Sequence, residues 1–329
     1  MRVLVTGAAG YIGSHAVRAL LRGGHVPIAL DNLSRGHRAA VPSEVPFVQL
    51  DVRETDKLQA LLTEQRIDCV IHFAALAYVG ESVTEPLKYY DNNTGGTLSV
   101  LKAVERAGTP RMVFSSTCAT YGEPLEMPIR ETTAQVPINP YGWSKLLSEY
   151  MLRDYAATAP HFGYAALRYF NVAGSAEDGA VGEDHDPETH LIPVILQAAL
   201  GKREKITVFG EDYATPDGTC IRDYIHVEDL VEAHVRVMEA LVPGDARVYN
   251  LGIGKGQSVK EIIDAVRSVV DRPFRVEVGA RRPGDPPALY ADASKIEREL
   301  GWRAKRTDIA QTILSAWRWF SAHPDGYDD

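Results

Sequence analysis

The stretch VTGAAGYIG, residues 5–13, sets Gly7, Gly10 and Gly13 three apart. The apolar run RVLVTG (2–7) before it reads as a strand. YIGSHAVRALLRGG (11–24) after it carries helical periodicity and stops at paired glycines. A glycine triplet alone is a weak signal, since any turn uses glycine, and the spacing is GxxGxxG rather than GxGxxG. Between a strand and a helix each glycine has its own task. Gly7 permits the tight turn, Gly10 lets backbone approach a pyrophosphate, and Gly13 lets helix and strand pack closely. The free N–H groups of the helix start then face the phosphates. The next strand-like run, HVPIALD (25–31), ends at Asp31, and a carboxylate there accepts from an adenosine ribose and repels a 2′-phosphate. NAD is therefore expected over NADP, with Arg35 the opposing charge nearby. Asp51, ending VPFVQLD (45–51), is a second acid at a strand end, placed to meet the adenine edge.

Outward from this turn, short apolar runs alternate with helical patterns. A helix over 55–66, strands over 68–75 and 111–116, a long helix over about 86–107, a helix over 140–157 and a strand over 164–171 follow. Such alternation predicts an α/β fold, a Rossmann-type doubly wound parallel sheet with helices on both faces. After about residue 172 the pattern loosens. NVAGSAEDGAVGEDHDPETH and GEDYATPDGTCIRDYIHV read as loops, as does GARRPGDPPALYAD. Helices are expected near 191–201, 228–241, 258–270, 293–300 and 308–322, and strands over 205–210 and 247–252. The predicted organisation is an NAD-binding domain over 1–171, to which 227–252 returns, and a smaller interwoven α/β lobe over 172–329. No internal repeat or low-complexity tract interrupts it.

The 329 residues are 45% hydrophobic and 24% charged, an ordinary globular balance, and the net charge of −9 argues against a nucleic-acid partner. The longest apolar-leaning run, CVIHFAALAYVG, is too short to cross a membrane, and no secretion signal is read at the first residues. Cys69, Cys118 and Cys220 lie far apart without a CxxC, which fits a reducing cytoplasm and an apolar core role for Cys69.

PYGWSKLLSEYM (140–151) carries the chemistry. Tyr141 and Lys145 are four apart, so on a helix they lie on one face about 6 Å from each other. A tyrosine with its ordinary pKa of about 10 is a poor base at neutral pH, and an adjacent ammonium favours the phenolate. A YxxxK pair alone is usually a helix start with a solvated lysine. With the phosphate turn upstream and FSST ending a strand at Thr117, it reads as an acid–base group beside a ligand crevice, the Thr117 hydroxyl sharing the substrate proton.

These features and others resemble the extended short-chain dehydrogenase/reductase family, and within it the nucleotide-sugar 4-epimerases. The matching stretches include VTGAAGYIGSH, LDNLSRG, VIHFAALAYVGESV, YYDNNTGGT, FSSTCATYG, PYGWSKLLSE, LRYFNVAG, VFGEDYATPDGTCIRDYIHV, YNLGIG and RRPGDPPALYAD, nearly end to end. The resemblance implies NAD on Gly7, Gly10, Tyr11, Ile12 and Gly13, its adenosine ribose on Asp31 and Asn32, and its adenine against Asp51 and Val52. Phe73, Ala74, Ala75 and Asn92 would line the cofactor, and Lys145 would also hold the nicotinamide ribose. For a UDP-sugar it implies Asn171 at a phosphate, backbone of His190 and Leu191 near the nucleotide, and Phe209 beside the uracil. Arg222 and Arg282 would clamp the diphosphate, and Asp285 would accept from the uridine ribose. The implied reaction interconverts UDP-galactose and UDP-glucose through a 4-keto sugar. UDP-N-acetylhexosamines are possible further substrates, and UDP-xylose/UDP-arabinose 4-epimerisation is the alternative. The resemblance also implies a homodimer pairing the helices near 86–107 and 140–158.

Departures from the family pattern are Thr117 where serine is common, Ala77 where many members have lysine, and Leu289 where some have tyrosine. A 4,6-dehydratase would need Asp-Glu after the threonine, and Cys118-Ala119 stand there instead. A binding protein that kept the fold without the chemistry should have lost Tyr141 or Lys145. GEDHDPETH offers His185, Asp186, Glu188 and His190 but no tight ligand pattern such as HExxH, so a polar loop is expected there and no metal site.

Overall fold

The computed structural model describes residues 1–282 and 285–328. In chain order its elements are β1 (Arg2–Thr6), α1 (Tyr11–Arg22), β2 (Val26–Asp31), β3 (Phe47–Gln49), α2 (Thr55–Glu64), β4 (Cys69–His72), α3 (Val79–Thr84) and α4 (Pro86–Tyr89). There follow α5 (Gly96–Ala107), β5 (Arg111–Thr117), α6 (Pro140–Thr158), β6 (Gly163–Tyr169), β7 (Asn171–Ala173), α7 (Leu191–Ala199), β8 (Ile206–Phe209) and β9 (Ile221–His226). The remainder comprises α8 (Val227–Ala240), β10 (Ala246–Leu251), β11 (Gly256–Ser258), α9 (Val259–Val269), β12 (Val276–Gly279), β13 (Ala288–Leu289), α10 (Ser294–Leu300) and α11 (Ile309–Ala322).

Seven parallel strands form the main sheet in the order β10-β6-β5-β4-β1-β2-β3. Alternation along β1 builds the two layers around it. Val3 and Val5 join Val17, Leu20, Leu230 and Val237 on one face, while Leu4 joins Leu58, Leu62, Val100 and Val104 on the other. β6 is buried at every position, as a strand covered on both faces must be. The sheet winds one way from β1 through β2 to β3 and the other way from β4 through β5 and β6. Beyond the carboxyl ends of β1 and β4 this leaves a crevice, the ligand position of an open α/β sheet. A second sheet has β9 at its centre, paired with β11, β13 and β7, and β8 pairs with β12 apart from it.

The structure adds α3, β11 and β12, which the sequence reading did not contain, and departs from it in larger ways. The third strand shrinks to Phe47–Gln49. The helix expected over 86–107 is interrupted by a π-helical stretch, Tyr90–Gly95. The loops after residue 170 contain β7, β9 and β13. These strands run two to six residues, and β9, IRDYIH, carries Arg222 and Asp223 inside it, so no apolar alternation marks them. Asp223 is fully buried and accepts from the amides of Ile253, Gly254 and Ala291, which ties β9 to the segments after β10 and β13. Burial pushes its carboxyl up to about 6, with those amides pulling the other way.

Candidate active site

The glycine turn closes on backbone. Gly7 takes φ +70°, and a Cβ there would stand 2.6 Å from the Ala74 nitrogen. A Cβ on Gly13 would stand 2.0 Å from the Gly7 oxygen, so α1 meets β1 only through a glycine. At Gly10 a Cβ would meet nothing closer than the Gly7 oxygen at 3.4 Å, leaving that face open to a ligand. Gly10 is the N-cap of α1 and no side chain caps the first turn, so the N–H groups at Tyr11 and Ile12 remain for an anion.

Asp31 is buried at the end of β2, where Oδ2 accepts from the Ala9 amide at 3.0 Å and Oδ1 from the Leu33 amide at 2.8 Å. It therefore holds the glycine turn as well as standing at the predicted ribose position. Burial raises its carboxyl above the ordinary value, against those amides. Asn32 donates to Asp51 at 3.0 Å, and the Arg53 guanidinium beside Asp51 holds that carboxyl well below the usual range. Val52 is buried next to them. Phe73 and Ala74 leave β4 with their amides on the Thr6 carbonyl and hydroxyl, and Ala75 follows, half-buried, in the loop after β4. Asn92 lies in the π-helical stretch and donates to Asn93 Oδ1. An uncapped helix start, an open Gly10 face and an acid at the end of β2 together suit a dinucleotide such as NAD.

At the end of β5, Thr117 is buried and its Oγ1 accepts from the Ala119 amide at 3.1 Å. α6 begins opposite, with Asn139 capping the Gly142 amide at 2.8 Å and Pro140 in the first turn. A Cβ on Gly142 would stand 2.5 Å from the Ala119 carbonyl oxygen, so this glycine lets Tyr141 come up to Thr117. Burial pushes the Tyr141 phenol up to about 12, and hydrogen bonding from Thr117 opposes it. Burial also pushes Lys145 down to about 7, with Glu149 opposing. The depression of the phenol by Lys145 that the spacing predicts is not produced by the protein's own groups. The ammonium turns instead to the Ser115 carbonyl, at 2.8 Å, over the Phe114 ring.

Behind α6 lies a buried polar network with no obvious mark in the sequence. Glu149 pairs with Arg168 at 2.5 Å and accepts from Ser116. Arg168 donates to Tyr121 Oη at 2.8 Å, and Tyr121 donates to Asn250 at 2.7 Å. α6, β5, β6 and β10 are thereby locked in one register. Asn93 does similar work on the other side, bonding both backbone groups of Leu76 and donating to Ser144 on α6. Glu149, Arg168, Asn93 and Gly142 escaped the sequence reading because each acts through another residue.

In the second sheet β7 and β13 both pair with β9, so Asn171, Arg222 and Leu289 come from neighbouring strands. Arg222 pairs with Asp285 and donates to the Ile221 carbonyl. Arg282 lies over the Phe209 ring at 3.9 Å. Leu289 packs against a small apolar cluster of Tyr121, Ile129, Phe170 and Ala291, which Cys118 and Met127 also join. Ala77 is exposed. Leu191 opens α7, whose first turn has no side-chain cap, and His190 is its N-cap residue. The His190 amide is already engaged by Glu188 at 2.7 Å, so of the two backbones expected at the nucleotide only that of Leu191 is uncommitted to this carboxylate.

The loop before α7 is organised rather than merely polar. Glu183, His185, Glu188 and His190 converge, and Tyr11 and Tyr78 stand edge-on to the His185 ring. Burial would lower both imidazoles, but the two carboxylates outweigh it and raise His185 to about 9 and His190 to about 10. Asp186 offers its carbonyl to Arg35 instead and stays outside the group, so Arg35 is drawn from Asp31 toward this loop.

The sequence profile described as "NAD dependent epimerase/dehydratase family" matches residues 3–252. The chain is 48% identical over 328 residues to the UDP-glucose 4-epimerase of Halalkalibacterium halodurans, covering 99% of this chain and 98% of that one. It is 45% identical over 338 residues to the probable UDP-arabinose 4-epimerase 3 of Oryza sativa subsp. japonica, covering 99% and 83% respectively. The crystal structure of UDP-glucose 4-epimerase from Bifidobacterium longum in complex with NAD+ and UDP superimposes with a TM-score of 0.95 at 41% identity, covering 99% of this chain and all of that one.

Proposed function

The chain belongs to the NAD dependent epimerase/dehydratase family, and we propose that within it this protein reversibly inverts C4 of UDP-galactose and UDP-glucose. The observation that carries the reading is the meeting of Thr117, at the end of β5, with Tyr141 and Lys145 on the first turns of α6, beside the crevice. Tyr141 Oη accepts the proton of the sugar 4-hydroxyl, with the Thr117 hydroxyl hydrogen-bonding the same oxygen, and gives it back after the sugar has turned. When bound, NAD would supply the hydride chemistry for reversible oxidation at the sugar C4. Gly7, Gly10, Tyr11, Ile12 and Gly13 hold its pyrophosphate, and Asp31 and Asn32 its adenosine ribose. The protein's own groups leave the phenol high, and a cationic nicotinamide bound beside it, with Lys145 on its ribose, would favour the phenolate.

Asn171, Arg222, Arg282 and Asp285, with Phe209 and the Leu191 amide, hold the UDP. Arg222 trades Asp285 for phosphate, and guanidinium suits that exchange because it binds both planar anions through the same fork. A firm grip on the nucleotide with a loose one on the sugar allows the sugar to swing about its phosphate linkage. We take residues 1–171 with 227–252 as the cofactor-binding part and 172–329 as mainly the substrate lobe. Among the described residues no helix is long and apolar enough to cross a membrane, and the three cysteines are free, which suits a cytoplasmic enzyme. Leu87, Leu98, Trp143, Leu147 and Tyr150 expose apolar surface on α4, α5 and α6, which supports a homodimer through these helices. Sedimentation equilibrium giving a monomer would remove that part of the proposal.

The test is purified protein with UDP-galactose and no added NAD, followed by proton NMR of the sugar C4 configuration. The expected result is UDP-glucose, approaching equilibrium. No conversion even with NAD supplied, combined with turnover of UDP-xylose, would move the assignment to the pentose reading, which the rice relative favours.

A further inference from the structure

We propose that Glu183, His185, Glu188 and His190 hold one divalent transition-metal ion, of which zinc fits the donors best, and that the ion fastens the 174–190 loop. The four residues each offer one ligand atom, and these atoms all lie within 4.8 Å of one another. His185 Nδ1 is 3.2 Å from Glu183 Oε1 and 3.5 Å from Glu188 Oε2. His190 Nδ1 is 3.0 Å from Glu183 Oε1 and 2.8 Å from Glu188 Oε1. Ligands about 2.0–2.2 Å from a tetrahedral zinc stand roughly 3.3–3.5 Å apart, so both imidazoles already stand near ligand spacing from Glu183 and the wider pairs close by about 1 Å at most.

A second observation points to a ligand. His185 Nδ1 and Glu188 Oε2 are both buried and face each other at 3.5 Å in a long ion pair, and neither makes an aligned hydrogen bond. Buried polar atoms left this way call for an explanation, and a cation between them satisfies both. The Glu188 side chain is wholly buried, and its other oxygen is fixed by the Thr189 and His190 amides, each at 2.7 Å. Its free oxygen is therefore held in place, as a ligand must be.

The donor set selects the ion. Two imidazoles and two carboxylates suit zinc and its neighbours rather than magnesium or calcium, which prefer oxygen alone. Four protein ligands leave no position for a reacting water, so the site is structural. The ion takes the place of the proton on each imidazole, both protons leaving to solvent, so a dication with two carboxylates and two neutral imidazoles adds no net charge to a buried place. The His185 ring abuts Tyr11 of the phosphate turn, and Tyr11 Oη donates to the Gly174 carbonyl at 2.5 Å. The ion thus closes the far end of a loop whose near end is already tied to the cofactor crevice. His190 remains 39% exposed at its side chain and gives a path of entry.

The proposal stands independently of the sugar chemistry. The experiment is elemental analysis of untagged full-length protein from zinc-supplemented cells, beside Glu188→Gln and His185→Ala. Wild type should carry about one zinc per chain and the variants at least tenfold less. Cobalt loaded into stripped wild type should give the visible absorption of a four-coordinate site, absent in Glu188→Gln. Should the variants not fold, zinc returned to chelator-stripped wild type should raise Tm by about 5 °C. Wild type free of metal after zinc dialysis, variants retaining the full complement (an adventitious ion only), or no Tm response overturns the proposal.

Discussion

Tyr141 and Lys145 lie one turn apart on α6, yet burial moves them in opposite directions. The phenol rises to about 12 and the ammonium falls to about 7. Tyr141→Phe removes the proposed proton acceptor and little else, so kcat with UDP-galactose should fall roughly 10²- to 10⁴-fold while NAD stays bound. Wild-type turnover in that variant would remove Tyr141 from the mechanism. Lys145 is depressed from 10.5 to about 7 in the folded chain. The unfolded chain then binds the extra proton, so the burial cost is complete below pH 7 and fades as pH rises toward 10.5. Lys145→Met should therefore gain stability, on the order of 2 kcal/mol at pH 6 once the lost Ser115 bond is set against it, and much less near pH 10. Urea melts at the two pH values check this, and equal gains at both would show that the lysine is not held low. Turnover should drop in the same variant, since the proposed site uses Lys145 to hold the nicotinamide ribose.

At the scale of elements, the site depends on how closely α6 approaches β5. Gly142→Ala puts a methyl group 2.5 Å from the Ala119 carbonyl oxygen, and backbone must shift to admit it. A small displacement of Tyr141 from Thr117 should cost turnover about tenfold to a hundredfold. Melting temperature measured alongside separates misplacement from unfolding. The Glu149–Arg168 pair holds the same helix from behind. Arg168→Met strands a buried carboxylate and should destabilise the fold by about 3–5 kcal/mol. A loss below 1 kcal/mol in denaturant melts would mean that Glu149 takes up a proton or reaches water. Both predictions concern residues whose side chains never touch substrate, and neither residue stands out in a linear reading: Gly142 looks like a poor helix former and Arg168 like a charge misplaced in a strand.

At the scale of the whole molecule, the proposed sugar specificity falls where the second sheet meets the first. Leu289 reaches the Cys118–Tyr121 segment from β13. Leucine there leaves more room than tyrosine, so UDP-N-acetylglucosamine should be turned over at millimolar concentration, and Leu289→Tyr should lower its rate relative to UDP-galactose by about tenfold or more. No turnover by the wild type would end that prediction. The sequence by itself determined the doubly wound sheet, the glycine turn, Asp31 at the end of the second strand and the Tyr141–Lys145 pair. Each is written in local spacing: glycines three apart, strands buried on both faces, an i,i+4 step on a helix. Tertiary structure alone decided the direction of the Lys145 ammonium, the short strands of the second sheet and the lock of Glu149 on Arg168. These depend on side chains from separate segments meeting in a place that excludes water, where burial sets charge and partner, and no local spacing encodes that.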